Sequence, residues 1–240
     1  MRAFILAGGQ GTRLRPTLGD KPKPLAPVAG YPFLTYPILW CRRQGIRDIV
    51  LCVGYRAAEV VAAMGGGETW GVRLSYSHEA VPLGTAGALR QAAVTTSSSF
   101  LVLNGDTYFD LDLSPFLEEH HRLGGLATLA LFHAPGYGRA GCVVLSASGK
   151  ITSFAEKSGC DGAHPMNGGI YIFEPAALAG VPANAFVSLE QDIFPALAAA
   201  GQLNGFLSHG LFADIGTPDS WRSFEVLVRT GAVHDDPSRG

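Results

Sequence analysis

A glycine-rich segment directly after the first apolar run has residue types that could bind an anion. Gly8, Gly9 and Gly11 fall within four positions, and Arg13 follows them. Glycine lets the backbone approach an anion closely and leaves several N–H groups directed at it. The planar guanidinium of arginine suits phosphate oxygens. The segment therefore predicts either a phosphate-binding loop or, on the glycines alone, a tight turn between a strand and a helix.

Two common phosphate-loop patterns do not fit this segment. The dinucleotide pattern GxGxxG fails because Leu14 stands at its last glycine position, and no GK[ST] follows as a P-loop would need. Further on, Lys21 and Lys23 alternate with prolines, which stiffen the backbone and position the lysine side chains. Taken singly, the same stretch is more typical of an exposed loop with two surface lysines.

Two aspartates follow apolar strands. The run that begins at Leu101 ends at Asp106, and the short run from Phe212 ends at Asp214. Ligands of open α/β sheets gather at the carboxyl ends of strands, where a carboxylate is well placed for a metal ion. The alternatives are an Asx turn at Asp106 and a plain helix start after Asp214, with Thr217 as the N-cap.

Alternating strands and helices must position these groups in the first half of the chain. Short β-branched runs that alternate with helical stretches are typical of a parallel α/β sheet. The predicted strands are Ala3–Leu6, Asp48–Val53, Arg73–Tyr76 and Phe100–Leu103, and the predicted helices are Phe33–Gln44, Ala57–Met64, Ala86–Ala93 and Leu113–Leu123.

From Leu126 onward the pattern predicts mostly strands, in a mixed sheet that covers one edge of a cleft. The predicted strands are Leu126–Phe132, Cys142–Ser146, Ile151–Ala155, Gly169–Phe173, Asn204–Ser208 and Leu211–Asp214, and the predicted helices are Leu189–Ala200 and Ser220–Thr230. Residues 231–240 are polar and predict a flexible tail.

Composition excludes several classes of function. The formal net charge is -2 and no basic block occurs, which argues against binding to nucleic acid. No apolar run is long enough to span a bilayer. Cys41, Cys52, Cys142 and Cys160 lack zinc spacing, and the first three stand in apolar or strand-like surroundings typical of free buried thiols. These points predict a cytoplasmic protein.

The order Gly-x-Gly-Thr-Arg, proline and Lys-Pro, followed by the two strand-end aspartates, closely resembles the signature of the sugar-1-phosphate nucleotidyltransferases. The resemblance implies an α/β fold: a Rossmann-like, doubly wound mixed sheet of the GT-A-like type, with a smaller β-rich sugar-binding part. It implies one domain over residues 1–230, with a nucleotide-binding part at 1–125 and a sugar-binding part at 126–230, before the tail at 231–240.

The resemblance also implies a site. Arg13, Lys23 and Asp106 match catalytic positions, and Asp106 and Asp214 match the aspartates that bind Mg2+. The implied nucleotide contacts are Leu6, Ala7, Gly8, Gly9, Gly11, Thr12, Arg13, Lys23, Glu79, Pro82, Gly84, Thr85, Asn104 and Gly105. The implied sugar-phosphate contacts are Gly141, Glu156, Lys157, Asn167 and Gly169.

The implied substrates are a nucleoside triphosphate and a sugar 1-phosphate. Glu79 stands where the base edge is read, and a carboxylate could accept both guanine hydrogens, at N1 and N2, which favours GTP. The chain looks most like the D-glycero-alpha-D-manno-heptose 1-phosphate guanylyltransferases. Mannose-1-phosphate guanylyltransferase and uridylyl- or thymidylyltransferases for another hexose 1-phosphate are the alternatives.

Two functions of other classes stay open. One is a catalytically silent regulatory relative that binds a sugar nucleotide, which the presence of the whole phosphate and metal set disfavours. The other is a nicotinamide oxidoreductase, which the broken glycine pattern at Leu14 disfavours. A homodimer is compatible with the family.

Overall fold

Parallel strands separated by helices form the first part of the chain, as the alternating pattern predicts. The computed structural model describes residues 1–134, 137, 140–156 and 164–239. The largest sheet has nine strands and contains both parallel and antiparallel pairs, so the predicted α/β class is confirmed. The chain divides into two compact units: Met1–Pro82, Leu103–Asp110 and Leu211–Gly240 form the first, and Leu83–Val102 and Leu111–Gly210 form the second.

The first unit is built on three parallel strands, Ala3–Leu6, Asp48–Val53 and Arg73–His78. Two antiparallel pairs join Pro27–Val28 to Tyr31–Pro32 and Thr107–Phe109 to Phe212–Asp214. Its α-helices are Arg15–Leu18, Thr35–Arg43, Ala57–Met64 and Pro218–Arg229, and its 3-10 turns are Lys23–Leu25, Glu68–Trp70 and Pro237–Arg239.

Burial explains the central strand of the first unit. Five consecutive apolar residues, Ile49–Val53, are all buried, as expected for a parallel strand covered on both faces. Its register pairs Ala3 with Ile49 and Leu6 with Cys52. The carboxyl ends of the two strands are therefore level, and the glycine-rich loop leaves the sheet at this edge.

Helix Pro218–Arg229 is fixed at its start and along its apolar face. Thr217 and Ser220 form a capping box, and Pro218 occupies the first turn. The fully buried ring of Phe224 lies 5.1 Å from the rings of Phe33 and Tyr36, measured between centroids. This packing holds the chain just before the helix, and with it the strand that ends at Asp214, against the rest of the unit.

The segment expected to be a flexible tail is anchored in the first unit. Val233 is fully buried, and Asp235 is only 5% exposed. The Asp235 carboxylate accepts hydrogen bonds from Nε of Arg43 at 2.8 Å and from the hydroxyl of Tyr108 at 2.8 Å. Polar composition alone predicts fraying, but these partners lie far away in the sequence.

The second unit is mostly antiparallel. Its strands are Ala127–Phe132, Cys142–Leu145, Ile151–Ala155, Met166–Phe173 and Leu203–Leu207. Its helices are Gly84–Ala92, Leu113–Leu123, the π-helix Leu189–Ile193 and Phe194–Ala199, with a 3-10 turn at Pro175–Leu178. Strand Phe100–Asn104 begins in this unit and ends in the first.

The core of the second unit is aromatic. The rings of Phe154, Tyr171 and Phe173 lie 5.1–6.2 Å from the ring of Phe194. Strand Met166–Phe173 is buried along its whole length and pairs with Ala127–Phe132 through a register shift between Asn167 and Tyr171. This bulge redirects the strand at the predicted sugar-binding residues.

The cysteines only partly follow the sequence expectation. Cys41 and Cys52 are buried free thiols. Cys142 is disulfide-bonded, so the expectation of a free thiol there was wrong. Among the described residues, no helix has both the length and the apolar character needed to cross a membrane.

Candidate functional site

The glycine-rich loop is held at the carboxyl edge of the parallel strands. The amide of Ala7 donates to the carbonyl of Cys52 at 2.8 Å, and the amide of Tyr55 donates to the carbonyl of Gly8 at 3.3 Å. A Cβ atom at Gly8 would collide with the carboxylate of Glu79. A side chain at position 8 would therefore displace the carboxylate of Glu79 from its place beside the loop.

Gly11 brings the loop against Lys23. Its φ of +59° is left-handed, and a Cβ atom there would lie 2.7 Å from Cβ of Lys23. Gly9, in contrast, has no atom within 4 Å of the position that its Cβ would take. Gly9, Thr12 and Arg13 are exposed and so accessible to a ligand.

Lys23 contacts the first of the two strand-end aspartates. Lys23 is 9% exposed, yet its ammonium Nζ lies 2.5 Å from Oδ2 of Asp106. Gly105, just before Asp106, donates its amide to the carbonyl of Leu6 at 2.9 Å. A Cβ atom at residue 105 would lie 2.6 Å from that carbonyl oxygen, so only glycine fits between the strands.

The second aspartate is brought beside the first by a short antiparallel pair. Asp214 pairs with Thr107, and the amide of Ile215 donates to the carbonyl of Asp106 at 3.0 Å. Oδ1 of Asp214 accepts hydrogen bonds from the Gly216 amide and from the Ser220 hydroxyl. Two residues separated by over a hundred positions in the sequence are thus adjacent on paired backbone segments.

Arg13 lies at the same turn. A Cβ atom at Gly216 would lie 2.8 Å from Oδ1 of Asp214 and 3.7 Å from Nη2 of Arg13. The structure thus brings Arg13, Lys23, Asp106 and Asp214 together within the first unit. Two cations and two carboxylates line the end of the glycine-rich loop.

The two aspartates fit a Mg2+ ion that is also bound by a substrate. Among residues 1–134, 137, 140–156 and 164–239, no group of three or more His, Cys, Asp or Glu side chains could hold a metal by itself. Mg2+ commonly binds one or two carboxylates and takes further oxygens from substrate phosphates and water. The ammonium of Lys23 on Asp106 shows that a cation is already accommodated at this carboxylate.

Glu79 and Asn104 lie at the same edge of the first unit. Glu79 is partly exposed next to Gly8 and Gly54, and its amide donates to the carbonyl of Val53 at 2.9 Å. Burial, and then the charge of Glu79, raise the pKa of the Cys52 thiol. The side-chain oxygen of Asn104 is buried and has no hydrogen-bond partner among the described residues.

In the second unit, two predicted nucleotide contacts have structural roles. Gly84 has a φ of +70°, and a Cβ atom there would lie 2.5 Å from the carbonyl oxygen of Val187. The hydroxyl of Thr85 donates to the carboxylate of Glu190 at 2.9 Å and accepts from the amide of Leu189 at 2.7 Å. Packing against the segment around the π-helix is therefore sufficient to explain why Gly84 and Thr85 occur at these positions.

The predicted sugar contacts Gly141, Asn167 and Gly169 surround the bulge. The amide of Asn167 donates to the carbonyl of Gly141 at 2.8 Å, and its side-chain Nδ2 donates to the Tyr171 hydroxyl at 3.0 Å. Oδ1 of Asn167 accepts from the amide of Gly169 at 3.0 Å. The side chain of Asn167 is therefore oriented by its own strand.

Glu156 has a partner that the sequence did not indicate. Gln191, in the π-helix, donates its side-chain amide to Oε2 of Glu156 at 2.9 Å. Lys157, the predicted phosphate contact next to Glu156, lies outside the described residues.

Ser220 was also not singled out from the sequence, although its hydroxyl contacts Asp214. Its only sequence signal is its place three residues after the predicted N-cap Thr217.

Known proteins resemble the chain over nearly its whole length. The family described as nucleotidyl transferase matches residues 2–230. D-glycero-alpha-D-manno-heptose 1-phosphate guanylyltransferase of Aneurinibacillus thermoaerophilus is 36% identical over 223 residues, covering 92% of this chain and 96% of the relative. Mannose-1-phosphate guanylyltransferase of Mycobacterium tuberculosis is 34% identical over 231 residues, covering 95% of this chain and 64% of the relative. The crystal structure of HddC from Yersinia pseudotuberculosis superposes with a TM-score of 0.84 at 30% identity, covering 94% of this chain and 98% of that one.

Proposed function

Because the chain belongs to the nucleotidyl transferase family, we propose that it is an enzyme that joins GTP and a sugar 1-phosphate into a GDP-sugar, with release of pyrophosphate. The heptose and mannose relatives described above are both named guanylyltransferases, which supports GTP. D-glycero-alpha-D-manno-heptose 1-phosphate is the favoured sugar substrate, since the heptose relative aligns over 96% of its length. Mannose 1-phosphate is the second candidate, supported by the relative that is 34% identical.

The observation that carries the proposal is the grouping of Arg13, Lys23, Asp106 and Asp214. The reaction brings two anions together, so the protein must supply positive charge and alignment. The second pKa of a phosphate monoester is about 6, so the attacking oxygen is already anionic at neutral pH and needs no general base. Lys23 then neutralises the triphosphate, and Arg13 stabilises the pyrophosphate that leaves.

Asp106 and Asp214 are the residues that would hold Mg2+. When bound, the ion would neutralise phosphate charge and polarise the phosphorus that is attacked. The backbones of the two aspartates are held close together by the pairing through Thr107 and Ile215. Lys23 leaves Asp106 for the triphosphate when the nucleotide binds.

Glu79 reads the base, and residues of the second unit contact the sugar phosphate. The carboxylate of Glu79 accepts from N1 and N2 of guanine, whereas uracil and thymine offer a single N–H on that edge. Gly141, Glu156, Lys157, Asn167 and Gly169 are assigned to the sugar 1-phosphate. Gln191 restricts Glu156 and so belongs to the same group.

Pyrophosphate release tests the proposal. Each of four nucleoside triphosphates, GTP, ATP, UTP and dTTP, is combined with heptose, mannose, glucose and amino-sugar 1-phosphates at saturating Mg2+. We expect turnover with GTP and the heptose 1-phosphate to exceed every other pair. Faster turnover with mannose 1-phosphate supports the second candidate, and no turnover with any pair supports a regulatory protein that binds sugar nucleotides silently.

A further inference from the structure

Ser220 contacts the second aspartate from the first turn of helix Pro218–Arg229. Its hydroxyl lies 2.8 Å from Oδ1 of Asp214, and the amide of Gly216 donates to the same oxygen. Ser220 is 7% exposed, so water competes little for this hydrogen bond. One carboxylate oxygen thus accepts two hydrogen bonds from the segment that follows it.

The capping box fixes the hydroxyl of Ser220. Its oxygen accepts from the amide of Thr217 at 3.0 Å, while the amide of Ser220 donates to Oγ1 of Thr217 at 3.2 Å. Three acceptors compete for its hydrogen: Oγ1 of Thr217 at 3.0 Å, the carbonyl of Thr217 at 3.1 Å and the carboxylate of Asp214 at 2.8 Å. The ionised carboxylate is both the nearest and the strongest acceptor.

We infer that Ser220 is a positioning residue that sets the rotation of the Asp214 carboxylate for a divalent cation. The inference rests on the proposed assignment of Asp214 as a metal ligand. The terminal torsion of an aspartate has a broad energy minimum, so an unheld carboxylate rotates easily. Two donors on Oδ1 oppose that rotation, and they fix the direction of both oxygens.

Strand pairing and helix packing place the backbone of Asp214, so the Ser220 hydroxyl contributes orientation of the Asp214 carboxylate in addition to its part in the capping box. The pair with Thr107 and the contacts of Phe224 do not depend on the Ser220 hydroxyl. Loss of the hydroxyl should therefore weaken cation binding more than it weakens the fold. Partners that orient metal ligands typically change metal affinity or activity about 10- to 100-fold when they are removed.

The experiment measures the dissociation constant for Mn2+ of the full chain saturated with a nonhydrolysable GTP analogue, from the free-Mn2+ EPR signal corrected for Mn2+ bound by the free analogue. It also measures the Mg2+ concentration that gives half-maximal pyrophosphate release. For Ser220→Ala we expect both values to rise about tenfold, while kcat recovers at saturating Mg2+. Ser220→Thr should give both values near those of the wild type, whereas Ser220→Val should resemble Ser220→Ala. Threonine and valine have the same shape, so their difference isolates the hydroxyl from packing effects.

Thr217→Ala is the matched control, because it breaks the same capping box and leaves the bond from Ser220 to Asp214 in place. It should lower Tm without changing Mn2+ affinity. Equal weakening by Thr217→Ala, or unchanged binding in both Ser220→Ala and Ser220→Val, overturns the inference. Asp214→Asn distinguishes a failure of this inference from a failure of the proposed function. If Asp214→Asn also leaves Mn2+ binding unchanged, the assignment of Asp214 as a metal ligand fails, and the inference fails with it.

Discussion

The ammonium of Lys23 lies 2.5 Å from a carboxylate oxygen of Asp106. The side chain of Lys23 is 10% exposed, whereas that of Asp106 is 38% exposed. A mostly buried ammonium is therefore paired with a more accessible carboxylate, and the two charges neutralise each other. Under the proposed function, a triphosphate with its metal ion would replace each partner by a group of the same sign.

Asp106→Asn should abolish measurable turnover. The amide oxygen can still accept from Lys23, so the fold should persist with a small decrease in Tm. The charge that would hold Mg2+ is lost, and metal stabilisation of a phosphoryl transition state is worth several kcal/mol, or about a thousandfold in rate. Pyrophosphate release at saturating Mg2+ and circular dichroism check both statements.

The control is Asp219→Asn, which removes a carboxylate of the same unit that is 92% exposed. It should retain wild-type turnover. Near-normal turnover of Asp106→Asn in the same assay would contradict the metal assignment.

Gly11→Ala should destabilise the loop and weaken nucleotide binding. Its left-handed φ costs an L-residue about 1–2 kcal/mol, and the added methyl group would press on the stem of Lys23. A chain of this size loses about 2–4 °C of Tm for each kcal/mol. Thermal unfolding and the KM for GTP are the measurements, with a lower Tm and a higher KM expected.

Gly9→Ala is the stability control, since open space surrounds that position. Its Tm should stay near that of the wild type. An equal loss of Tm in the two variants would show that the contact with Lys23 is not the cause.

Asp235→Ala should destabilise the first unit, although polar composition predicts that residues 231–240 are flexible. Its loss leaves the hydroxyl of Tyr108 without this acceptor and breaks the bond to Nε of Arg43. Arg43 keeps Asp110 as a partner, so the main loss is the buried bond from Tyr108. A hydrogen bond to a charged group contributes about 1.5–3 kcal/mol, and we expect a loss of about 2 kcal/mol in the free energy of unfolding. Urea denaturation measures it.

Asp219→Ala provides the comparison: this exposed carboxylate lies in the first turn of its helix and pairs with Arg222, so its loss should cost about 0.3–1 kcal/mol, less than the loss expected for Asp235→Ala. Wild-type stability of Asp235→Ala would mean that the anchored segment contributes nothing to folding.

Acid should weaken a partly buried hydrogen-bond network in the second unit. Ser99 donates to Glu174 at 2.6 Å, and this bond, opposed by burial and aided by His120, lowers the pKa of Glu174. A carboxyl group whose folded pKa is lowered stabilises the native state above its unfolded pKa, about 4.3. That contribution is lost as the pH falls through the folded pKa.

The stability difference between wild type and Ser99→Ala should therefore be larger at pH 7 than at pH 3, measured by urea unfolding. Ser98→Ala is the control, since Ser98 is exposed beside it. A difference that does not change with pH would show that Ser99 does not act through the charge of Glu174.

Local patterns were sufficient for most elements of the fold. Helices Ala57–Met64 and Leu113–Leu123 and strand Ile151–Ala155 have the predicted bounds, because each combines strong periodicity with clear turn residues. Strand Thr107–Phe109 was missed, since its three residues follow a turn signal and its partner Phe212–Asp214 is distant in the sequence.

The same distinction applies to the site. Glycine spacing and strand ends pointed to Arg13, Asp106 and Asp214, and the family resemblance singled out Lys23. The structure brings all four together. The positions of Ser220 and Asp235 depend on contacts that only the folded chain makes. Sequence patterns therefore identified the charged groups, whereas the residues that orient them or anchor distant segments can be recognised only in the folded structure.

Asp106 and Asp214 are joined across a short antiparallel pair, and residues 111–210 leave and return at its ends. The amide of Asp110 donates to the carbonyl of Leu211 at 2.9 Å, which closes that excursion at its base. Insertions, deletions and substitutions within the excursion need not alter the spacing of the two carboxylates. Under the proposed function, selection could therefore change which sugar is accepted while the phosphate chemistry stays the same, so a single catalytic frame could give rise to enzymes of many sugar specificities.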